Sequence, residues 1–346
     1  MKNGAPMRGP VQHLVICRLL SPSEVPRTVF AYITRRLLAT IPLLVIALYL
    51  VHVGISLTTD PRSAFYLCLP RCQDGFDQIT EVYNLDVNIW LRPFIWFGDV
   101  LSGDLGDSSS IGEPVSEILV ERGWNTALIA IPAFLISAIF ALLLSVYSAR
   151  HQYSKGDYFF TGLAFIGLAF PSFVLALVIQ NIFGVQLENW FGIKPFNTGR
   201  KTNENFLELI RDITLPVMSL SILFISADSR FGRASMLDTL NQDYIRTARA
   251  KGLPEKKVVW KHALRNALIP LVTLWALNFS ALLGGSVVTE SIFSWPGLGP
   301  AFLRGLGDAD LDLVLGIVLL TGVITVVFNL IADVLYGVLD PRIRLD

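Results

Sequence analysis

Long apolar runs without a charged residue are the feature that most constrains this chain. A helix that crosses the ~30 Å hydrocarbon core of a membrane needs roughly 20 mainly apolar residues. Five runs of that length contain no Asp, Glu, Lys or Arg. Only 16% of all residues are charged, whereas about 25% are charged in a soluble domain. The chain is therefore predicted to be an all-α integral membrane protein.

A sixth apolar run is shorter, because only 15 residues precede Asp228. It can lengthen at its start through positions 207–210, and a buried or re-entrant segment is the alternative. Small residues such as Gly162, Gly284 and Gly316 recur in the runs, and they let helices pack closely in lipid. The six predicted spans are Leu37–Leu57, Thr126–Ala149, Tyr158–Val185, Ile213–Ala227, Leu268–Thr289 and Leu313–Ala332.

Basic residues are distributed unequally between the two sides of these spans. Nineteen of the 28 Lys and Arg fall in the two termini and in segments 150–157 and 230–265, and nine fall on the opposite side. Segment 58–125, on that opposite side, carries eleven acidic residues. Because Lys and Arg are retained in the cytoplasm, both termini are predicted to be cytoplasmic. The 28 acidic residues balance the 28 basic ones, which gives no charge argument for binding nucleic acid.

The predicted spans also define the organisation of the chain. The amino-terminal residues lack the small-residue cleavage site that a signal peptide needs, so we expect a tail there. The expected parts are a cytoplasmic or interfacial tail (1–30), a first transmembrane helix (31–58), an extracytoplasmic segment (59–120), a five-helix core (121–341) that includes a cytoplasmic coupling loop (230–267), and a cytoplasmic tail (342–346).

Cys68 and Cys72 lie close together in the segment predicted to be extracytoplasmic. An oxidising compartment permits a disulfide there, and Pro70 favours the turn that such a short loop needs. Two free thiols are the alternative. A metal site is disfavoured because no third ligand stands nearby in the sequence.

The sequence contains no recognisable catalytic motif. Its four histidines are not paired at metal-binding spacing, and it has neither Gly-x-Ser-x-Gly nor the phosphate-binding Gly-x-x-x-x-Gly-Lys-Ser/Thr. We therefore expect no catalytic residue, metal, cofactor or ATP site. Among the ionisable groups near spans, His52 is expected to be a neutral bundle residue. Asp228 and Asp333 are expected to reach the interface, with Arg230 close enough to pair with Asp228.

The most informative segment is Ser235–Pro270. Its helical spacing places Leu237, Leu240, Tyr244, Ile245 and Ala248 on one apolar face. Gly252 after Lys251 indicates a helix end, and Pro254 with Glu255 suits the start of a second helix, whose apolar side carries Val258, Val259 and Leu264. Its many basic residues are explained by topology alone, whereas the apolar stripe favours a docking surface for a cytosolic partner.

The residues of this loop resemble a known pattern. Asp243–Leu253, followed by His262–Pro270, is similar to the EAA loop of ABC importer permeases of the dipeptide, oligopeptide and nickel branch. At the start of the pattern the chain has Arg246-Thr247-Ala248 where the general form has Glu-Ala-Ala, and Thr58–Pro61 departs from the Pro-Gly-Asp-Pro of the family. Further similar blocks are Tyr32–Leu38, Gly103–Gly106, Asn125-Thr126, Phe293–Gly299 and Leu339–Arg342.

The resemblance implies a type I ABC importer transmembrane fold with six transmembrane helices, the first wrapping around a partner subunit. The implied partners are a homologous second permease subunit in a heterodimer, two cytosolic ABC ATPases, an extracytoplasmic solute-binding protein, membrane lipid and a peptide substrate. It also implies that the coupling loop contacts the ATPases through Arg246, Thr247, Ala248, Arg249, Ala250, Lys251, Gly252 and Leu253.

Other functions remain as alternatives at this stage. The same architecture could import nickel or another small solute. A secondary transporter is disfavoured because acids at mid-membrane and inverted repeats are missing, and a membrane enzyme or scaffold because no catalytic cluster is present. The polar span residues proposed to line the substrate path are Gln180, Asn181, Asn278 and Ser280.

Overall fold

A computed structural model describes residues 25–68, 70–199 and 205–339. The predicted tails at 1–24 and 342–346 lie outside the described residues. The all-α architecture is confirmed by thirteen α-helices within the described ranges. They are α1 (Val25–Thr58), α2 (Gln73–Val82), α3 (Arg92–Ser102), α4 (Val115–Arg150), α5 (Lys155–Ala169), α6 (Ser172–Ile179), α7 (Leu187–Phe191), α8 (Phe206–Leu240), α9 (Asp243–Ala250), α10 (Glu255–Lys257), α11 (Leu264–Ile292), α12 (Leu298–Gly307) and α13 (Leu311–Leu339).

Five helical stretches of the described ranges are long and apolar enough to cross a membrane. The predicted span Leu268–Thr289 lies within α11, which has 29 residues but is not one of the five. The number of six transmembrane helices therefore stays a prediction. The five stretches are Thr34–Ser63, Val115–Arg150, Ser172–Phe191, Phe206–Leu240 and Leu311–Leu335.

Helix boundaries in the structure differ from the predicted segments at two places. The first helix begins at Val25, six residues before the predicted start at 31. The third predicted span, Tyr158–Val185, is not one continuous helix, because α5 ends at Ala169. Phe170 is extended, since a residue before proline is pushed out of the helical region, and Pro171 then opens α6. After α6, a π-helical turn spans Gln180–Gln186.

The shortest predicted span is part of the 35-residue helix α8. The helix extends at its start, as expected from the sequence, and reaches Phe206. It packs along α4, where Ser145 donates a hydrogen bond to the Ser229 carbonyl at 3.1 Å. Gly232 faces the same Ser145, and a Cβ added there would collide with the hydroxyl. The close approach of α4 and α8 therefore needs a residue without a side chain.

Helix α1 packs against α13 at both ends of the bundle. At one end, Arg36 forms a salt bridge with Asp333 at 3.1 Å. At the other end, Leu48 is buried in an apolar cluster with Trp96 of α3 and with Leu315 of α13. The first helix is thereby joined to the last by a charged contact and by an apolar contact.

Candidate functional site: the helical hairpin at 241–263

The hairpin predicted from the sequence is present, but its first helix is shorter than the apolar spacing suggested. Helix α8 ends at Leu240, and the chain turns at Asn241 and Gln242 before α9 begins at Asp243. Leu237 and Leu240 therefore belong to α8 and not to the hairpin helix. After α9, the short α10 leads through a π-helical turn at Val258–Ala263 directly into α11.

Gly252 forms the corner of the hairpin in the left-handed conformation, with φ +75°. Its N–H donates to the Arg249 carbonyl at 2.9 Å, and the N–H of Leu253 donates to the Ala248 carbonyl at 3.4 Å. This pair of bonds is the Schellman motif, which satisfies the last carbonyls of a helix. No atom lies within 4 Å of a Cβ built on Gly252. Glycine is therefore required here by the backbone conformation and not by lack of space.

An ion pair crosses this corner. The Arg249 guanidinium donates to both Glu255 carboxylate oxygens, at 2.8 Å and 3.2 Å. Hydrogen bonding to Arg249 lowers the pKa of Glu255, and hydrogen bonding to Glu255 raises the pKa of Arg249. The side chains are 44% and 48% exposed, so solvent screens the pair and its contribution to stability is small. Its geometric effect is to hold α9 and α10 together at the tip.

An apolar cluster beneath the hairpin attaches it to the ends of α4, α8 and α11. Ile245 and Ala248 of α9 are buried there, and Leu253 packs against the cluster. Tyr244, predicted on the same face, is instead 43% exposed, and its hydroxyl accepts a hydrogen bond from Asn266 at 2.7 Å. The other buried members are Val146, Ala149, Met236, Val258, Val259, Ala263, Leu264 and Ala267.

The eight residues proposed for ATPase coupling therefore fall into two groups. Ala248 is buried and Leu253 half-buried, and both point into the cluster beneath the hairpin. The remaining six are exposed on the outer side of the hairpin, and they are Arg246, Thr247, Arg249, Ala250, Lys251 and Gly252. The hairpin thus presents an exposed basic tip on a buried apolar base, and Leu253 contributes mainly to that base.

Two of the polar residues proposed for the substrate path lie on one groove. Gln180 and Asn181 line a cavity of about 710 Å³ together with Thr198 and apolar residues of α6 and the π-helical turn. The Gln180 amide donates to the carbonyls of Thr198 at 2.9 Å and Ile292 at 3.1 Å. It therefore holds the wall of the groove in place, while Asn181 is exposed.

The other two proposed path residues do not line this groove. Asn278 donates to the Asp228 carboxylate at 2.7 Å, which joins α11 to α8. Asp228 is buried, so the expectation that it reaches the interface is wrong. The guanidinium of Arg230 lies instead over the Phe165 ring, 4.1 Å from its centroid. The Ser280 hydroxyl is buried and has no hydrogen-bond partner among the described residues.

Cys68 and Cys72 form a disulfide in the structure, with Cα atoms 5.6 Å apart. The bridge closes the turn between the short helical turn Pro61–Ala64 and α2. Its formation by the protein in solution stays a prediction. Among the described residues, no group of three His, Cys, Asp or Glu side chains is arranged to hold a metal ion.

Three contacts that the sequence did not predict join parts of the chain at the two ends of the bundle. On the hairpin side, Arg233 of α8 donates to both oxygens of Asp157 at 2.8 Å and 2.7 Å, tying α8 to the start of α5. The sequence signal for this ion pair was one acidic and one basic residue near the ends of two predicted spans. At the far end, the buried Glu290 accepts from the Gly299 N–H at 2.7 Å, and Trp295 donates to the Asn125 carbonyl at 2.8 Å.

The comparison with known families agrees with this arrangement. Residues 141–345, more than half of the chain, match the model of the binding-protein-dependent transport system inner membrane component. The chain belongs to this family of transport permeases. The matched region includes the hairpin, the groove and every helix from α5 to α13.

Relatives in this permease family match nearly their whole length. The oligopeptide transport system permease protein AppB of Bacillus subtilis is 38% identical over 91% of this chain and 99% of its own. The glutathione transport system permease protein GsiC of Salmonella typhimurium is 35% identical over 90% and 98%. The oligopeptide transport system permease protein OppB of Mycobacterium bovis is 32% identical over 90% and 98%. The chain is thus an inner membrane component of a binding-protein-dependent transport system.

Proposed function

We propose that this chain is the permease subunit of an ATP-driven importer and forms half of the translocation pathway for peptides. The observation that carries the proposal is the full-length similarity to permeases named for oligopeptide and glutathione transport. Oligopeptides and glutathione both contain amide groups and have charged ends. The proposed substrate class is molecules of this kind. The exposed hairpin, which packs on a buried apolar cluster, supports the same conclusion, because its tip is available for docking to a separate subunit.

In this proposal, other chains bind and hydrolyse the ATP that drives transport. The sequence carries no phosphate-binding loop, so two ABC ATPase subunits or domains hydrolyse ATP. A homologous second permease completes the pathway as a heterodimer, and an extracytoplasmic solute-binding protein delivers the peptide. The family description, a component of a binding-protein-dependent system, supports the presence of these partners.

The hairpin faces the cytoplasm in this arrangement, together with both termini. The excess of Lys and Arg in segment 230–265 supports this orientation. The tip from Ala250 to Leu253 enters a groove of an ATPase, where Arg249 and Lys251 favour acidic groups at the rim. Because the hairpin is packed on α4, α8 and α11, movement of the tip is transmitted to the spans.

The groove beside the π-helical turn is the proposed part of the substrate path. Gln180 and Asn181 present amides on an otherwise apolar wall, and amide groups can hydrogen-bond a peptide backbone. Helical π-turns occur often at functional positions because they widen the helix locally. Asn278 and Ser280 remain candidates for a path between α8 and α11.

Purification and transport together test the proposed function. An affinity-tagged chain expressed from its own operon should retain a second permease and ATPase subunits. Proteoliposomes that contain the assembly, the binding protein and enclosed ATP should accumulate a labelled dipeptide or glutathione. Nickel is the comparison solute. Uptake of nickel without peptide would reject the substrate class, and uptake that is independent of ATP would reject the importer.

A further inference from the structure

Helix α3, in the segment predicted to be extracytoplasmic, has an exposed face that is mainly apolar. Leu91, Phe94 and Leu101 recur on it at helical spacing and are 55%, 63% and 88% exposed. Trp90, just before the helix, is 53% exposed. Large apolar side chains grouped in this way mark a surface that is covered by another molecule or by lipid.

The opposite face of α3 is packed inside the protein. Pro93 and Trp96 are buried, and Phe97 and Val100 pack against the apolar cluster around Leu48 of α1. Helix α3 is thus apolar on the face that contacts protein and mainly apolar on its exposed face. The exposed face lacks most of the polar character that a helix surrounded by water shows.

The two charged residues of α3 lie off this apolar stripe, although Asp99 is exposed. Arg92 turns back to the preceding turn and donates to the Val87 carbonyl at 2.9 Å and to the Leu85 carbonyl. Burial lowers the pKa of Arg92, in keeping with this inward position. Asp99 lines a cavity on the other side of the helix, together with Trp96.

Contacts with α1 fix the level of α3 relative to the membrane. The Tyr49 hydroxyl donates to the Trp90 carbonyl at 3.3 Å, and its ring lies 5.6 Å from that of Phe94. Helix α1 ends at Thr58, nine residues beyond Tyr49, which is about 13 Å at 1.5 Å per residue. From Arg36 to Thr58 the helix rises about 33 Å, roughly one hydrocarbon thickness. Tyr49 therefore lies well below the membrane boundary near Thr58.

We propose that α3 lies in the bilayer leaflet next to Thr58, with Trp90, Phe94 and Leu101 inserted among lipid chains. Interfacial helices are usually buried about 5–10 Å into the headgroup and acyl boundary, and the contact at Tyr49, about 13 Å below Thr58, places the start of α3 slightly deeper than this. Tryptophan at its start suits this position, because the indole ring favours the membrane interface. The segment 59–120 is thus anchored to the leaflet by α3 and is not wholly outside the membrane.

Lipid fits this face better than a protein partner does. A protein interface carries a polar rim and about one hydrogen bond per 100–200 Å², whereas the outward stripe of α3 is formed by Leu91, Phe94, Gly98 and Leu101. The stripe also continues the exposed apolar surface of α1, where Leu50 is 62% exposed. The inference does not depend on which solute is transported.

Site-directed spin labelling of the assembled full-length protein in nanodiscs tests the position of α3. A Cys17→Ser background leaves the disulfide in place, and Phe94→Cys adds the labelling site. We expect dissolved oxygen, which concentrates in lipid, to collide with this label more often than a water-soluble nickel complex does. Leu101→Cys, on the same face, should give the same result and guards against a local folding defect.

Matched controls calibrate the measurement. Glu81→Cys lies on α2 of the same segment and is exposed, so the nickel complex should dominate there. Leu50→Cys on α1 reports a lipid-facing position, and the unsubstituted background measures stray labelling. Dominance of the nickel complex at positions 94 and 101 would place α3 in water and overturn the proposal. Low collision with both reagents would place these side chains under a protein partner and would also overturn it.

Discussion

Replacement of Gly252 by valine tests the role of the hairpin most directly. The substitution changes one exposed corner residue and leaves the cluster beneath the hairpin untouched. The protein should still insert into the membrane, because the backbone hydrogen bonds of its spans are formed within each helix. We expect weaker retention of the ATPase and a large loss of peptide uptake.

The magnitude follows from the geometry of the corner. Because no atom lies within 4 Å of the added Cβ, the substitution causes no collision, and the cost is that of the backbone alone. At φ +75°, an L-residue costs roughly 1–2 kcal/mol, and a branched side chain lies at the upper end. A cost of this size reduces the ratio of the native corner to its alternative conformations by a factor of about 5–30. ATPase docking should weaken by up to the same factor.

The assay has two readouts and two control variants. Retention of the ATPase on washed membranes reports docking, and ATP-dependent accumulation of a labelled peptide reports transport. Gly252→Asn should lose much less than Gly252→Val, because asparagine tolerates the left-handed conformation. Ala234→Ser alters an exposed helical position of α8 outside the hairpin and should leave both readouts close to wild type.

Some results would refute this reasoning. Normal ATPase retention and normal uptake in Gly252→Val would show that the loop serves only as a basic topological anchor. Equal defects in the valine and asparagine variants would show that the absence of a side chain matters at the tip and that the backbone conformation does not.

Further predictions concern the orientation, the disulfide, the ion pair of the hairpin and the contact between α5 and α8. A reporter enzyme fused at position 240 should give a cytoplasmic signal, and an external signal would reject the proposed orientation. Cys72→Ser should leave uptake nearly unchanged and add one free thiol by mass spectrometry, because a short disulfide loop contributes less than the usual ~2–4 kcal/mol. Arg249→Gln should weaken ATPase docking more than Glu255→Gln does, because only the former removes an exposed positive charge, and equal effects would assign the role to the ion pair. The pKa of Glu255 is lowered from its ordinary 4.5. The contribution of this ion pair to the stability of the tip is therefore complete above pH 4.5 and is lost as the pH falls through the lowered pKa. Amide hydrogen exchange at the tip measures this loss. Asp157→Asn should destabilise the contact between α5 and α8 by about 1–3 kcal/mol, seen as a lower midpoint of thermal unfolding, and an unchanged midpoint would reject the importance of this contact.

The sequence by itself determined the membrane character and the hairpin. Charge-free runs identify membrane helices because an isolated charge is costly in hydrocarbon, and this signal needs no knowledge of neighbours. The corner at Gly252 was equally local, because a helix end followed by Pro254 depends on backbone chemistry of a few residues. The similarity to the EAA loop could be recognised for the same reason, because it depends on residues that are neighbours in the sequence.

Only the tertiary structure decided how the polar groups inside the spans are used. Asp228 was expected to reach the interface, but it is buried, and α11 places Asn278 next to it. The clamp between Asp157 and Arg233 joins residues 76 positions apart, a separation at which sequence spacing carries no information. The depth of α3 likewise follows from its contact with Tyr49 and not from its own composition. Spacing predicts which face of a helix is apolar, whereas helix packing decides what that face meets.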